Sequence, residues 1–484
     1  MDPRDTNTIP LSRRRLLAAT LAGTIGLRAH QPVPGAELPA RIDVDAGQVR
    51  WRIPAGLRGF NFWGTRSDAA FMPEYQKIGV SLLRFPPGRV GDEQDLSAQL
   101  MDESGRVARA LGAELVVEVR LRGGTPEKAA AAVHYMNIEH KYGARYWEIG
   151  NEPDLYQQRP GEPEFSPDWY NQRFRAYAQA MKAVDPDIKI FGPVLSNKLD
   201  EWMRPFITAN GDIADGLSWH FYGGSAQTPE AELLTSTARF DKQVAQVRGW
   251  WRDPASNPKG HTRQVPLLVS EYGASWQTAS PKNLTTPAAT LWTADMLGHL
   301  ASQQIDLAAY FTLWGIQYHG VWNNRGKIQP VYYTFLLFNQ FGDRLVAARS
   351  DQELLPAYAA LRADGALSLM VVNKDPATTY RATIELQGFR AATPVQVWLH
   401  DQNHPATQTA YRGPLAPLAV NFPPYSTTML VIPAQSGLPA PIVWTGLGLG
   451  GAALLGGGLA LLRRRRGTAQ AAAQGETRDA SHET

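Results

Sequence analysis

Two glutamates at the ends of apolar runs have the residue type and the setting for acid/base chemistry. Glu152 follows the run Tyr146–Gly150 and precedes Pro153, which would stop a strand directly after the acid. Glu271 ends the apolar run 265–270, where the chain turns polar. Cleavage of a glycosidic bond needs two carboxyl groups flanking the bond. Either glutamate alone would more often be a solvated surface acid, so the prediction of sugar chemistry rests on the pair.

These glutamates can meet only if the fold brings their strands to one edge. Short apolar runs alternate with helical stretches, which is the pattern of parallel strand–helix units. Eight such units favour an α/β fold of the (β/α)8 type, a TIM barrel, in which catalytic groups follow the carboxyl ends of strands. Glu152 then lies on strand four and Glu271 on strand seven, across the mouth from each other. The predicted strands are 57–62, 81–85, 114–121, 146–150, 188–194, 216–221, 265–270 and 308–313.

A doubly wound open sheet fits the same alternation of strands and helices. No GxGxxG or GxxxxGK[ST] motif follows a predicted strand. This weakens the nucleotide-binding versions of that alternative.

The sequence pattern changes after the predicted barrel. Residues 36–341 are predicted to form the catalytic barrel, and 342–433 a small C-terminal antiparallel β-sandwich of short alternating strands. The stretch Arg41–Val44, before the first barrel strand, is a candidate extra strand of that second domain. Residues 434–441 are a short linker.

The two ends of the chain are predicted to be an export signal and a membrane anchor rather than parts of the folded domains. In the segment 1–35, the order Ser-Arg-Arg-x-Leu-Leu from Ser12 precedes a short apolar run, and it resembles a bacterial twin-arginine export signal. Residues 442–462 carry no charge and are followed by Arg463–Arg466, which predicts one transmembrane helix with the tail 463–484 in the cytoplasm. The layout also resembles a sortase-type wall anchor, but 438–441 lacks the required Thr-Gly. We therefore expect a membrane-anchored protein with its catalytic domain outside the cell.

Composition excludes several function classes. The ends contribute +3 and +2 to the net charge of +3, which leaves −2 for residues 36–435 and no basic run for nucleic acid. Cysteine is absent, so thiol nucleophiles and disulfides are excluded. The ten histidines show no HExxH or similar spacing. We expect neither a metal nor an organic cofactor.

The motif around the first glutamate resembles a known group of enzymes. The order Asn151-Glu152-Pro153 on strand four, with Glu271 on strand seven, is similar to clan A of the retaining glycoside hydrolases. The resemblance covers roughly residues 55–345. It implies that Glu152 is the acid/base, that Glu271 is the nucleophile, and that Asn151 binds the 2-hydroxyl of the sugar.

Further matches to the clan fall in the expected order along the chain. Arg84 resembles the strand-two arginine that pairs with the nucleophile, and His220 and Tyr222 resemble the strand-six His-x-Tyr, which implies that Tyr222 donates to Glu271. Trp314 ends strand eight, where the clan commonly places a tryptophan beneath the sugar ring. Donors beside Glu271 would keep it ionised, and its charge would favour a protonated acid/base. Other aromatic candidates for sugar subsites are Trp63, Trp276, Tyr318 and Trp322.

The resemblance does not fix one family within the clan. The stretch Glu148–Leu155 resembles β-glucuronidase and heparanase-like enzymes. The stretch Leu83–Gly88 resembles the Arg-Phe-Pro-Gly-Gly of those enzymes and of arabinofuranosidases, with Pro87 in place of the first glycine. The helix at Tyr332–Phe335, leading into Phe341–Arg344, resembles xylosidase-like and arabinofuranosidase-like relatives. Substrate identity therefore does not follow from sequence.

Three functions remain open at this point. The first is a retaining hydrolase of an extracellular oligo- or polysaccharide, acting by double displacement. The second is an envelope transglycosylase with the same residues, which differs only in the acceptor. The third is a non-catalytic carbohydrate-binding surface protein. Two opposed carboxyl groups argue against the third, because binding alone does not require them.

Overall fold

The computed structural model describes residues 37–63, 70–277, 280, 282–315, 317–435 and 443–444. The chain divides into a unit of residues 1–445 and a second unit of residues 446–484. The second unit lies outside the described residues, as does the predicted signal segment 1–35.

Strands dominate the described part of the chain. Within the described residues, one long strand precedes eight barrel strands, and nine further strands follow the barrel. The strands are β1 (Glu37–Arg52), β2 (Gly59–Asn61), β3 (Leu82–Phe85), β4 (Glu114–Val119), β5 (Tyr146–Ile149), β6 (Lys189–Leu195), β7 (Gly216–Gly224), β8 (Leu267–Ser275), β9 (Leu307–Tyr310), β10 (Arg344–Ser350), β11 (Ala357–Leu361), β12 (Leu367–Asn373), β13 (Thr379–Gln387), β14 (Val395–His400), β15 (Thr407–Tyr411), β16 (Leu418–Phe422), β17 (Ser426–Ile432) and β18 (Val443–Trp444).

Strands β2 to β9 form a closed parallel barrel. Closure is made by β2, which pairs in parallel with both β3 and β9. Each of the eight predicted strands overlaps one barrel strand. The predicted TIM barrel is confirmed, and the open-sheet alternative is wrong because an open sheet leaves its two edge strands unpaired.

Helices connect the barrel strands and cover their outer face. They are α1 (Met72–Lys77), α2 (Val90–Glu93), α3 (Ala98–Leu111), α4 (Pro126–Val133), α5 (Pro167–Val184), α6 (Arg204–Asn210), α7 (Glu230–Thr235), α8 (Ala238–Arg252), α9 (Pro287–Ser302) and α10 (Val331–Phe338). Local sequence explains where α5 begins: Ser166 accepts a hydrogen bond from the Trp169 N–H, and Pro167 occupies the first turn. The buried face of α5 includes Phe174 and Met181.

The second domain is rich in β-structure, as predicted. Its strands form one continuous sheet in the order β15-β14-β17-β12-β11-β10-β1-β13-β16. Strand β1 lies inside this sheet, antiparallel to β10 and parallel to β13, so the candidate strand at Arg41–Val44 is confirmed. Apolar side chains on one face of these strands, such as Leu369 and Val371, form a core of their own, whereas Met370 and Val372 on the other face join the core of the barrel.

A buried ionic network ties the barrel to the sheet. Asp295 on α9 accepts hydrogen bonds from Lys374 after β12 at 2.5 Å, from Thr237 at 2.6 Å and from Tyr358 on β11 at 2.7 Å. Burial would raise the pKa of Asp295, but Lys374 and His299 reverse the effect and hold that pKa below its usual range. Because a buried charge is tolerated only when it is paired, this network fixes α9 against the sheet.

The C-terminal membrane prediction falls almost wholly outside the described residues. Val443 and Trp444, inside the predicted span 442–462, form β18 and pair with β1. At these two residues the structure has a strand where the prediction had a helix, since a valine and a tryptophan readily adopt extended backbone beside a partner strand. No helix in the described ranges is both long enough and apolar enough to cross a membrane.

Candidate active site

The two predicted carboxylates meet at the carboxyl-terminal mouth of the barrel. Glu152 lies three residues after Ile149, the last residue of β5, and Glu271 lies within β8. One oxygen of Glu152, one oxygen of Glu271 and one ring nitrogen of His220 all lie within 4.8 Å of one another. The side chain of Glu152 is 19% exposed and that of Glu271 is 5% exposed. One carboxylate is thus reachable from the mouth, and the other lies deeper.

A strained backbone presents Glu152 at the end of its strand. The residue has φ 48° and ψ 53°, the left-handed region, between β5 and a short 3-10 turn at Pro153–Leu155. That conformation costs a non-glycine residue roughly 1–2 kcal/mol. The Glu152 N–H donates to the Val194 carbonyl on β6 at 2.9 Å, which helps to hold the turn. Strain held in this way is typical of functional positions.

An irregularity in strand pairing positions Glu271. Trp219 on β7 pairs with Val269 on β8, but the next residue, His220, pairs with Glu271. Ser270 is therefore skipped in the ladder, as in a β-bulge. The shift places Glu271 beside His220 at the mouth.

Both oxygens of Glu271 accept hydrogen bonds. Arg84 Nη1 donates to Oε1 at 2.9 Å, and the Tyr222 hydroxyl donates to Oε2 at 2.8 Å. Burial and the charges of Glu271 and Glu152 raise the pKa of Tyr222 well above its usual range, so the phenol stays a neutral donor. The two contacts expected from the resemblance, from Arg84 and from Tyr222, are present.

His220 contacts Glu152 directly. Its Nδ1 lies 2.9 Å from Glu152 Oε1 and 3.6 Å from Glu271 Oε2. Burial lowers the pKa of His220, but the charge of Glu271 and the hydrogen bond with Glu152 outweigh that effect and raise it. The sequence predicts a substrate-binding role for His220. In the structure, its Nδ1 also lies between the carboxyl groups of Glu152 and Glu271.

Arg84 is the centre of a buried polar network. The side chain is fully buried, and each of its five N–H groups donates a hydrogen bond. The acceptors are Glu148 at 2.6 Å, Asn151 at 2.8 Å, Glu271 at 2.9 Å, Asn61 at 3.0 Å and Glu118 at 3.1 Å. Burial would lower the pKa of Arg84, but the surrounding glutamates raise it above its usual value.

In the side-chain amide of Asn151, the oxygen accepts a hydrogen bond, whereas the nitrogen has no partner among the described residues. Its Oδ1 accepts from Arg84 Nη2 at 2.8 Å, and its backbone N–H donates to Asp92 Oδ2 at 2.8 Å. Within the described residues, the buried Nδ2 has no hydrogen-bond partner. A buried donor without a partner is costly, so a ligand hydroxyl is the natural acceptor.

Comparisons with known proteins find distant relatives among glycosidases. No protein-family model matches the chain. A β-xylosidase of Geobacillus stearothermophilus is 24% identical over 265 residues, which is 48% of this chain and 48% of that protein. A heparanase of Rattus norvegicus is 24% identical over 208 residues, covering 42% of this chain and 38% of that protein. The chain thus matches about half or less of the length of these curated relatives.

A solved structure covers more of the chain. The GH51 α-L-arabinofuranosidase of Thermotoga petrophila RKU-1 superposes with a TM-score of 0.68 and 20% identity, over 81% of this chain and 100% of that one. The chain has the fold of the clan A glycoside hydrolases. These three relatives, a xylosidase, a heparanase and an arabinofuranosidase, are all glycosidases and come from more than one family.

Two aspartates shape the loops around Glu152, and neither was predicted from the sequence. Asp92 on α2 is buried and accepts from the N–H groups of Asn151 and Leu121. Asp154 is also buried, and it accepts from the N–H and hydroxyl of Ser196 in the loop after β6. Asp154 directly follows the Asn-Glu-Pro motif, and this position was the feature of the sequence that could have identified it.

The aromatic candidates divide into buried and exposed side chains. Trp314 is 3% exposed and stacks on Trp322 at 6.1 Å between ring centroids. The Trp63 indole donates to the Trp314 carbonyl at 2.8 Å. Trp276 and Tyr318, on the loops after β8 and β9, are 59% and 40% exposed. A sugar contact stays a prediction for each of them, and the two exposed rings have the open surface that stacking needs.

The group of Glu152, His220 and Glu271 also has donor atoms that could hold a metal ion. Both oxygens of Glu271 already accept from Arg84 and Tyr222, and Glu152 Oε1 already bonds His220. The three side chains therefore form a hydrogen-bonded set that suits proton transfer.

Proposed function

We propose that this chain is a retaining glycoside hydrolase that cleaves O-glycosidic bonds of an extracellular oligo- or polysaccharide by double displacement. The separation of the two carboxylates carries the proposal. Carboxyl groups lie about 5–5.5 Å apart in retaining enzymes and about 6.5–9.5 Å apart in inverting ones, which need space for a water molecule. One oxygen each of Glu152 and Glu271 lie within 4.8 Å, which favours retention.

The proposed reaction has two steps. Glu271 attacks the anomeric carbon while the proton of Glu152 passes to the leaving oxygen, so the C–O bond breaks and a glycosyl ester forms. Glu152, now a carboxylate, takes a proton from water as the water oxygen attacks the same carbon and releases Glu271. The donors Arg84 and Tyr222 on Glu271 support the first step, because they keep the nucleophile ionised.

The substrate is proposed only as a class. The relatives named above are a xylosidase, a heparanase and an arabinofuranosidase, and these names imply different sugars. We propose that the free Nδ2 of Asn151 binds the 2-hydroxyl of the sugar beside the carboxylates. Trp276 and Tyr318 are candidates for stacking on a second sugar unit further out.

A panel of aryl glycosides tests this function on the full chain. The panel includes xylosides, arabinofuranosides, glucuronides and glucosides, with release of the phenol followed by absorbance. We expect at least one to be hydrolysed, and proton NMR early in the reaction to show a product with the anomeric configuration of the substrate. An inverted first product would contradict double displacement, and transfer to added sugars in place of water would indicate the transglycosylase alternative.

We also propose that the enzyme acts outside a bacterial cell, held by one membrane helix that follows Trp444 and ends at Leu462. The uncharged span followed by Arg463–Arg466 supports this, together with the twin-arginine-like order at Arg13-Arg14. We expect the chain in the membrane fraction, with its barrel cleaved by protease added to intact cells. Replacement of both Arg13 and Arg14 by lysine should retain the chain in the cytoplasm. Equal protease protection of the wild type and this variant would contradict the proposal.

A further inference from the structure

Three buried carboxyl groups share the single positive charge of Arg84. Glu148, Glu271 and Glu118 accept from its guanidinium at 2.6, 2.9 and 3.1 Å. Arg84, Glu118 and Glu148 are fully buried, and Glu271 is nearly so. If all three glutamates were ionised, the cluster would hold an excess of two negative charges away from water. Such an excess is strongly unfavourable in the protein interior, so at least one carboxyl is expected to keep a proton.

The contacts distinguish the three carboxyls. Glu271 accepts a hydrogen bond at each oxygen, which favours its ionised form. Glu148 makes the shortest contact with Arg84, 2.6 Å, as expected of a charge-assisted bond. Glu118 makes the longest one, 3.1 Å. Glu118 and Glu148 each have a second oxygen that is buried without a partner among the described residues. The two carboxyl groups therefore differ mainly in their contact with Arg84, and the longer contact favours Glu118 as the one that keeps a proton.

The surroundings of Glu118 also oppose its ionisation. A Cβ added at Gly91 would lie 2.1 Å from Glu118 Oε1, so the backbone of α2 covers that oxygen. Burial raises the pKa of Glu118 well above its usual range. Arg84 on β3 opposes this effect, whereas Asp92 on α2, Glu148 on β5 and Glu271 on β8 add to it.

We propose that Glu118 holds a proton in the folded enzyme and acts as a positioning residue, leaving the charge of Arg84 to Glu148 and to the nucleophile Glu271. A neutral Glu118 still accepts from Arg84 Nη2 and fixes the guanidinium, but it does not compete for the positive charge. The inference rests on the proposed function only for its effect on catalysis. Its effects on stability and on the carboxyl spectrum are independent of any activity.

The pH dependence of stability tests the proton on Glu118. In the unfolded chain a glutamate loses its proton near pH 4.3, about its ordinary pKa. Because the folded-state pKa is raised, keeping the proton costs stability that grows as pH rises above that value. A glutamine side chain has nearly the shape of a protonated glutamate but does not titrate, so Glu118→Gln avoids this loss of stability. We expect its Tm to exceed that of the wild type by on the order of a few degrees near neutral pH, and to equal it below about pH 4.

Glu148→Gln is the matched control, because it makes the same chemical change against the same guanidinium. Glu148 is ionised in the proposal, so its amide leaves Arg84 with less compensating charge. We expect Glu148→Gln to lower Tm near neutral pH and to reduce kcat by more than about tenfold on the best aryl glycoside. Glu118→Gln should reduce kcat by less than about threefold. The infrared absorbance of protonated carboxyl groups at neutral pH, to which Glu152 also contributes, should lose one component in Glu118→Gln and keep it in Glu148→Gln.

Two results would overturn the inference. One is a loss of Tm in Glu118→Gln near neutral pH, which would indicate that an ionised Glu118 pairs with Arg84. The other is an intensity of the protonated-carboxyl absorbance that is the same in Glu118→Gln as in the wild type. Absence of hydrolysis of every aryl glycoside would contradict the proposed function, while the Tm and infrared measurements would still decide the state of Glu118.

Discussion

Glu271→Ala is expected to reduce kcat on the best aryl glycoside by roughly 10⁴–10⁶-fold, the scale seen when a catalytic nucleophile is removed. The variant cannot form the glycosyl ester, and Arg84 Nη1 and the Tyr222 hydroxyl lose the carboxylate to which they donate. Arg84 keeps its contacts with Glu148 and Glu118, so we expect the barrel to stay folded. Steady-state kinetics measure the loss, and circular dichroism measures the fold.

Rescue by added azide distinguishes loss of the nucleophile from a general loss of folding or binding in Glu271→Ala. The cavity left by Glu271→Ala should admit the anion, which attacks the anomeric carbon directly and gives a glycosyl azide of inverted configuration. Glu232→Ala, an exposed acid on α7, is the control and should retain wild-type rates. Hydrolysis that survives Glu271→Ala, at a rate near that of the wild type, would contradict the assignment of the nucleophile.

Glu152→Ala is expected to cost about 10²–10⁴-fold in kcat/KM on substrates with poor leaving groups, because removal of a general acid has effects of this size. Aryl glycosides with an acidic phenol need little protonation. On these the first step should be nearly normal, while the second step slows because no base activates water. Kinetics across a series of phenols of increasing acidity measure both effects.

The stereochemistry of azide rescue distinguishes the two glutamates. In Glu152→Ala, azide should attack the glycosyl ester on Glu271 and yield a glycosyl azide of retained configuration, opposite to the product of Glu271→Ala. Glu164→Ala, an exposed acid in the loop after β5, is the matched control. A loss that is the same for every leaving group would show that Glu152 acts in binding or folding and not as an acid.

Much of the fold could be predicted because its signals are local. Each barrel strand is a short apolar run bounded by polar residues, and such a run is visible without knowledge of its partners. The start of α5 follows from Ser166 and Pro167 for the same reason. Strand β1 was only a candidate strand, because its place between β10 and β13 depends on residues about 300 positions away in the chain.

The sequence by itself determined the two glutamates at the mouth. Glu152 and Glu271 each end an apolar run, and parallel strands in a barrel present their carboxyl ends on one side. The pairing of Arg84 and Tyr222 with Glu271 was expected from the resemblance, and the structure contains both contacts. Short-range pattern therefore fixed which residues carry the proposed chemistry.

Only the tertiary structure decided how charge is distributed beneath the mouth. Glu118 and Glu148 lie on β4 and β5 and converge with Glu271 of β8 on one guanidinium. Sequence spacing does not encode this convergence, since barrel closure and side-chain packing determine which groups share a donor. Burial then sets the free energy of each charge, and that free energy determines which carboxyl is ionised.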